Sequence, residues 1–243
     1  MTRTPNVSTT PVHALVEALR QQIQRLEGSR RQAESKPIVF KYKDLEHIVP
    51  HGGFRPGTLV EWLSAGDGGG AETLAMRLAR EACCQGGALV VLDGRRVFYP
   101  PAAARAGIDL QRIVLVRPQD AADHDWALDQ ALRCTAVDAV WAWAERIDPH
   151  AFRRLQLAAE QGGTLGLLMR SVRARHEPSW AEMRLLVEPL PSAGPAARRR
   201  VRVHLLRCRG ATDGHCLDLE LDDETHTVHP LAWANNDQWR NRA

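Results

Sequence analysis

From about His47 onward, short apolar runs alternate with stretches of helical periodicity, and this alternation narrows the choice of fold more than any other feature of the chain. Strands buried on both faces need helices on either side, so the pattern predicts a parallel sheet. Thr58-Leu59-Val60-Glu61-Trp62-Leu63 reads as the first strand and Thr73 to Cys84 as a helix. Ala88-Leu89-Val90-Val91-Leu92-Asp93 is apolar almost throughout, and Ile113-Val114-Leu115-Val116 is a shorter strand after Pro100 to Gly107. A helix from about Asp123 to Cys134 leads into the strand Val137 to Trp143. Asp148 and Pro149 supply an N-cap and first-turn proline for a helix ending at Gly162-Gly163, and Thr164 to Met169 follows as a strand. Beyond Met169 the pattern changes. Met183 to Glu188, Val201 to Leu206 and Cys216 to Leu221 look like strands joined by loops. The expectation is an α/β fold with a mostly parallel twisted sheet flanked by helices and a short antiparallel extension.

Between the first strand and the first helix lies Ser64-Ala65-Gly66-Asp67-Gly68-Gly69-Gly70-Ala71-Glu72-Thr73. A phosphate loop occupies this place in many α/β proteins, with the pattern G-x-x-x-x-G-K-[ST]. Backbone N–H groups cradle the phosphates, the lysine neutralises their outer charge and the hydroxyl holds Mg²⁺. With Gly70 as the final glycine, the lysine position is Ala71 and the hydroxyl position is Glu72, whose carboxylate repels a nucleotide. Gly66, Gly68, Gly69 and Gly70 therefore read as a strand-to-helix turn, with residual nucleotide binding as the alternative.

The chain divides into residues 1–46, 47–224 and 225–243. In the first part Leu15, Ala18, Leu19, Ile23 and Leu26 recur at helical spacing, followed by a polar linker from Gly28 to Lys36. This amphipathic helix either folds back or docks through Leu15, Leu19, Ile23 and Leu26 on another chain. The last part lacks periodicity and is expected to be a flexible tail whose Trp233 and Trp239 bind a partner. Five cysteines without C-x-x-C spacing suggest neither a zinc site nor a disulfide framework, and no metal or cofactor is expected. No catalytic motif is recognisable, and no apolar run is long enough to span a membrane, so a cytoplasmic location is expected. A net charge of +3 is too weak to imply nucleic-acid binding on its own. Arg198, Arg199, Arg200 and Arg202 are the candidates for a sequence-independent contact with a DNA backbone.

Gly52-Gly53-Phe54-Arg55-Pro56-Gly57-Thr58-Leu59-Val60-Glu61 resembles the segment that leads into the phosphate loop of RecA recombinases. Val91-Leu92-Asp93 followed by Pro100, and then Gly107-Ile108-Asp109, resembles the next RecA strand and the turn beyond it. Val137-Asp138-Ala139-Val140 resembles the start of the Walker B strand, and the likeness covers roughly residues 47–207. The departures fall on the chemistry. Trp143 stands where the Walker B acid ends its strand, and Arg95 where a glutamate orients the attacking water. The nucleotide-sensing positions fall at about Arg170 and Ser171, and the segments matching the two DNA-binding loops are short. No enzymatic activity is expected. A small RecA-like chain with these losses is similar to the ImuA family of bacterial translesion synthesis. That resemblance implies an accessory protein of a DNA-damage-induced (SOS) mutagenesis complex. Its implied partners are an ImuB-like Y-family polymerase homologue and, through it, an error-prone DnaE-type polymerase, with RecA contact or self-association through the N-terminal helix. The core also resembles SulA, the inhibitor of the division protein FtsZ, which is the second reading.

Overall fold

The computed structural model describes residues 37–39, 49, 53–66, 68–191, 198–209 and 215–232. In chain order these form β1 (Leu59–Ser64), α1 (Ala71–Ala82), β2 (Ala88–Leu92), α2 (Pro100–Arg105), β3 (Ile113–Val116), α3 (Ala121–Arg133), β4 (Val137–Trp143), α4 (Pro149–Gly162) and β5 (Leu165–Ser171). Then come β6 (Met183–Leu190), β7 (Arg198–Cys208), β8 (Cys216–Asp222) and β9 (Thr227–Ala232). All nine described strands belong to one sheet of order β3-β2-β4-β5-β1-β6-β7-β8-β9. Pairing is parallel from β3 to β6 and antiparallel from β6 to β9.

The two faces of the sheet bury different residues because side chains alternate along each strand. Val60, Trp62, Leu167, Met169 and Leu185 face α1, where Leu74, Ala75 and Leu78 meet them. Leu59, Val140, Ala142 and Leu168 face α3 and α4, which contribute Leu128, Leu132, Phe152 and Leu155. Val201, Val203, Leu205, Leu217, Leu219 and Leu221 continue the α1-side core, so the antiparallel strands extend the core itself. Helix ends follow the expected chemistry. Asp148 accepts from the backbone N–H of His150 and Ala151, Asp120 accepts from Asp123, and Gly163 closes α4 in the left-handed region at φ +72°.

One boundary differs from expectation. Residues 227–232 lie within the stretch expected to be a flexible tail, yet they form β9, hydrogen-bonded to β8 with Val228 only 4% exposed. Six residues containing Pro230 show too little alternation to register as a strand. Pairing with β8 supplies what local propensity lacks, as Pro is tolerated at a sheet edge. The core thus reaches Ala232. The helix expected over Leu15, Leu19, Ile23 and Leu26, and the tail positions Trp233 and Trp239, lie outside the described residues.

Candidate functional site

The glycine turn springs from the carboxyl end of β1, where a parallel sheet usually presents its ligand site. Ser64 Oγ donates to the carbonyl of Gly66 at 2.6 Å, tightening the turn where it leaves the strand. Gly70 caps α1 at φ +92°, and a Cβ there would lie 2.8 Å from Val201 Cγ1 on β7. Only glycine fits this approach. Ala71, at the lysine position, is 1% exposed and packs into the α1-side core. Arg199, from the start of β7, reaches the turn from the other side. Its Nη1 donates to the carbonyl of Gly68 at 3.3 Å and its Nη2 to Thr73 Oγ1 at 3.2 Å. The same guanidinium grips Asp223 with two bonds of 2.7 and 2.8 Å, and that hydrogen bonding raises its pKa. A cation of the protein's own thus lies against the turn.

Arg95 and Trp143, expected from the sequence to stand at the two catalytic positions, meet each other. Arg95 stacks its guanidinium 4.3 Å from the ring centroid of Trp143, and Trp143 packs edge-on to Trp141 at 6.4 Å. Such a cation–π contact contributes about 0.5–2 kcal/mol, more as it is desolvated. Asp93, buried at the end of β2, organises the turn that carries Arg95: its Oδ1 accepts the N–H groups of Val97 and Phe98. A cleft of about 320 Å³ opens where α3 and α4 begin, lined by His124, Leu128, Trp143, Arg146 and Arg154 among others. No glycine-turn residue lines it. Among the described residues no group of three or more His, Cys, Asp or Glu side chains is placed to hold a metal.

Arg170 is not available as a nucleotide sensor. It is fully buried, donating to Glu61 Oε1 at 2.6 Å, to Glu177 Oε2 at 2.5 Å and to the carbonyls of Ala144 and Glu145. Arg184 on β6 holds the other oxygen of Glu61 at 2.7 Å. Ser171 caps the following 3-10 turn, accepting from Arg173 N. The cause of this departure is Glu61: a carboxylate in a strand buried on both faces needs cations beside it. Sequence reading passed over this cluster, though a lone glutamate inside Thr58 to Leu63 was its visible signal.

The arginine run sits in a ladder of cross-strand ion pairs. Arg198 opposes Asp222, Arg200 opposes Glu220 and Arg202 opposes Asp218 in the β7–β8 register. Their closest approaches are 3.4, 3.1 and 2.5 Å. Arg199 points to the opposite face, toward the glycine turn. Each of the four arginines therefore faces a carboxylate of β8 or of the turn after it. On the same face as the ladder, His204 contacts Glu188 at 2.8 Å; burial nevertheless lowers its pKa, outweighing that partner.

Sheet order, crossover helices and the glycine turn define a RecA-like α/β protein. Residues 47–174 match the family described as MT3502 N-terminal domain, more than half of the chain, and the chain belongs to that family. It is 33% identical over 161 residues to "Protein ImuA" of Caulobacter vibrioides, in each of two strains. The match takes in 60% of this chain and 66% of the relative, so the chain spans just under two thirds of that protein's length. The RadB recombinase superposes with a TM-score of 0.62 over 80% of this chain and 100% of that one. At 15% identity this likeness shows the fold alone. The expected RecA-like fold and the similarity to ImuA are both borne out.

Proposed function

We propose that the chain is a RecA-like accessory protein of DNA-damage-induced translesion synthesis, acting through protein contacts without hydrolysing nucleotide. The observation that carries this reading is the packing at the glycine turn. Ala71 is turned into the core, and Arg199 lies against the turn with Asp223 as its partner. The stacking of Arg95 on Trp143 supports the same view, because no metal acid or base occupies those positions. A phosphoryl transfer site depends on preorganised charge aimed at the transferring group, whereas here Arg199 is engaged by Asp223 and Arg95 stacks on Trp143.

Similarity to ImuA supports the choice of pathway. On this reading the partner is an ImuB-like Y-family polymerase homologue, which in turn engages an error-prone DnaE-type polymerase. The N-terminal residues Leu15, Leu19, Ile23 and Leu26 and the tail residues Trp233 and Trp239 are candidate anchors. Co-expression of the full chain with its ImuB-like partner tests the proposal: the two are expected to co-elute as a stable complex that adding or withdrawing ATP leaves unchanged. Separate elution of the two proteins, or assembly that requires ATP, would sink it.

A further inference from the structure

Trp180, in the connection from β5 to β6, is 43% exposed although the segment carrying it is tied down. Ser179 donates to Glu61 Oε2 at 2.5 Å, and Ala181 N donates to Ser179 Oγ at 3.1 Å. Arg184 donates to the carbonyls of Ala174, Arg175 and Glu177, and Glu182 N donates to Leu59 O. The buried Glu61 cluster thus holds the loop that presents the indole. Leaving a large aromatic in water costs hydrophobic free energy that a free loop would recover by folding the ring inward. Here the anchored backbone prevents it.

The surroundings of the indole share this character. Arg153 on α4 places its guanidinium 5.0 Å from the Trp180 ring centroid, and Arg207 on β7 donates to the carbonyl of Ser179 at 2.9 Å. Leu157 is 45% exposed one helical turn beyond Arg153 on the same face of α4. Among the described residues neither Arg153 nor Arg207 makes an ion pair. Arg153 bonds only the Gln156 amide oxygen, at 2.5 Å, and Arg207 a backbone carbonyl.

We infer that the ridge formed by Trp180, Arg153 and Leu157, with Arg207 at its edge, docks a second protein through a segment that carries an apolar anchor flanked by carboxylates. The inference rests on the accessory role proposed above and gives that role a contact on the folded core. Tryptophan and arginine are the residue types that most often dominate interface energy. Two arginines without carboxylate partners are complementary to acidic residues, and a preformed loop loses little entropy on binding. A single-stranded nucleic acid fits less well. Arg153 already covers part of the indole face on which a base would stack.

Calorimetric titration of the full chain with its ImuB-like partner tests the surface, comparing wild type, Trp180→Ala and the double variant Arg153→Glu with Arg207→Glu. Both variants are expected to weaken binding by about tenfold or more, and the charge-reversed one to lose most of its salt dependence. The altered side chains lie at the surface, so unchanged melting serves as the folding control, and Val114→Ala on β3 should bind as wild type. Wild-type affinity in both variants would overturn the surface while leaving the accessory role standing. Failure of the wild-type chain to bind at all removes the role and the surface together. Loss of oligo(dT) binding in Trp180→Ala, with partner affinity retained, would reassign the ridge to nucleic acid and overturn the inference.

Discussion

Glu61 sits in the middle of an apolar strand with its two oxygens shared between Arg170 and Arg184, all three buried. The cluster is stable only as a whole, because each charge alone would carry its full desolvation cost. Replacing Glu61 by Ala leaves two buried guanidinium groups without their shared anion. The expected loss is about 3–5 kcal/mol, seen as a lower urea midpoint with an unchanged slope. A loss below about 1 kcal/mol would mean that water enters and the cluster is not dry. The same residue links fold and surface, since Ser179 and the carbonyls held by Arg184 fix the loop that presents Trp180. Gly70 acts similarly at the turn, where its φ and its approach to Val201 exclude any side chain.

At the scale of elements, β9 decides where the folded core stops. Its backbone pairs with β8, and Val228 covers the α1-side core beside Leu221. Deleting residues 233–243 is expected to leave thermal melting unchanged, whereas deleting 227–243 strips an edge strand and should lower the melting temperature by about 5 °C or more. Equal melting of the two truncations would show that β9 adds nothing to the core. The shorter deletion removes Trp233 and Trp239 while keeping all of β9. The β7–β8 pair shows how pairing changes the meaning of a charge run. Arg198, Arg200 and Arg202 look like a basic patch in sequence, but the register sets Asp222, Glu220 and Asp218 opposite them.

In the molecule as a whole, the antiparallel extension and the glycine turn are parts of one arrangement. β7 supplies both Val201, which packs on Gly70, and Arg199, which lies against Gly68 and Thr73. Restoring only the two loop residues should therefore not restore chemistry. The double variant Ala71→Lys with Glu72→Ser is expected to release no phosphate from ATP above background. Arg95, Trp143 and Arg199 still occupy the surroundings, and a lysine at position 71 must leave a packed core site. Turnover in that variant would show that the loop residues alone had silenced the site.

Sequence by itself determined the layered α/β fold, the positions of the first five strands and the caps of α4, because apolar periodicity and local capping chemistry act over a few residues. It also located the glycine turn and the residues, Ala71 and Glu72, that follow its last glycine. Only the tertiary structure decided what those positions touch. The stacking of Arg95 on Trp143, the approach of Arg199 to Gly68 and the burial of Arg170 beside Glu61 join residues 48, 131 and 109 positions apart. Such contacts depend on strand order and register, which no local pattern encodes. The same holds for β9, a segment of weak propensity that becomes a strand because β8 offers it an edge.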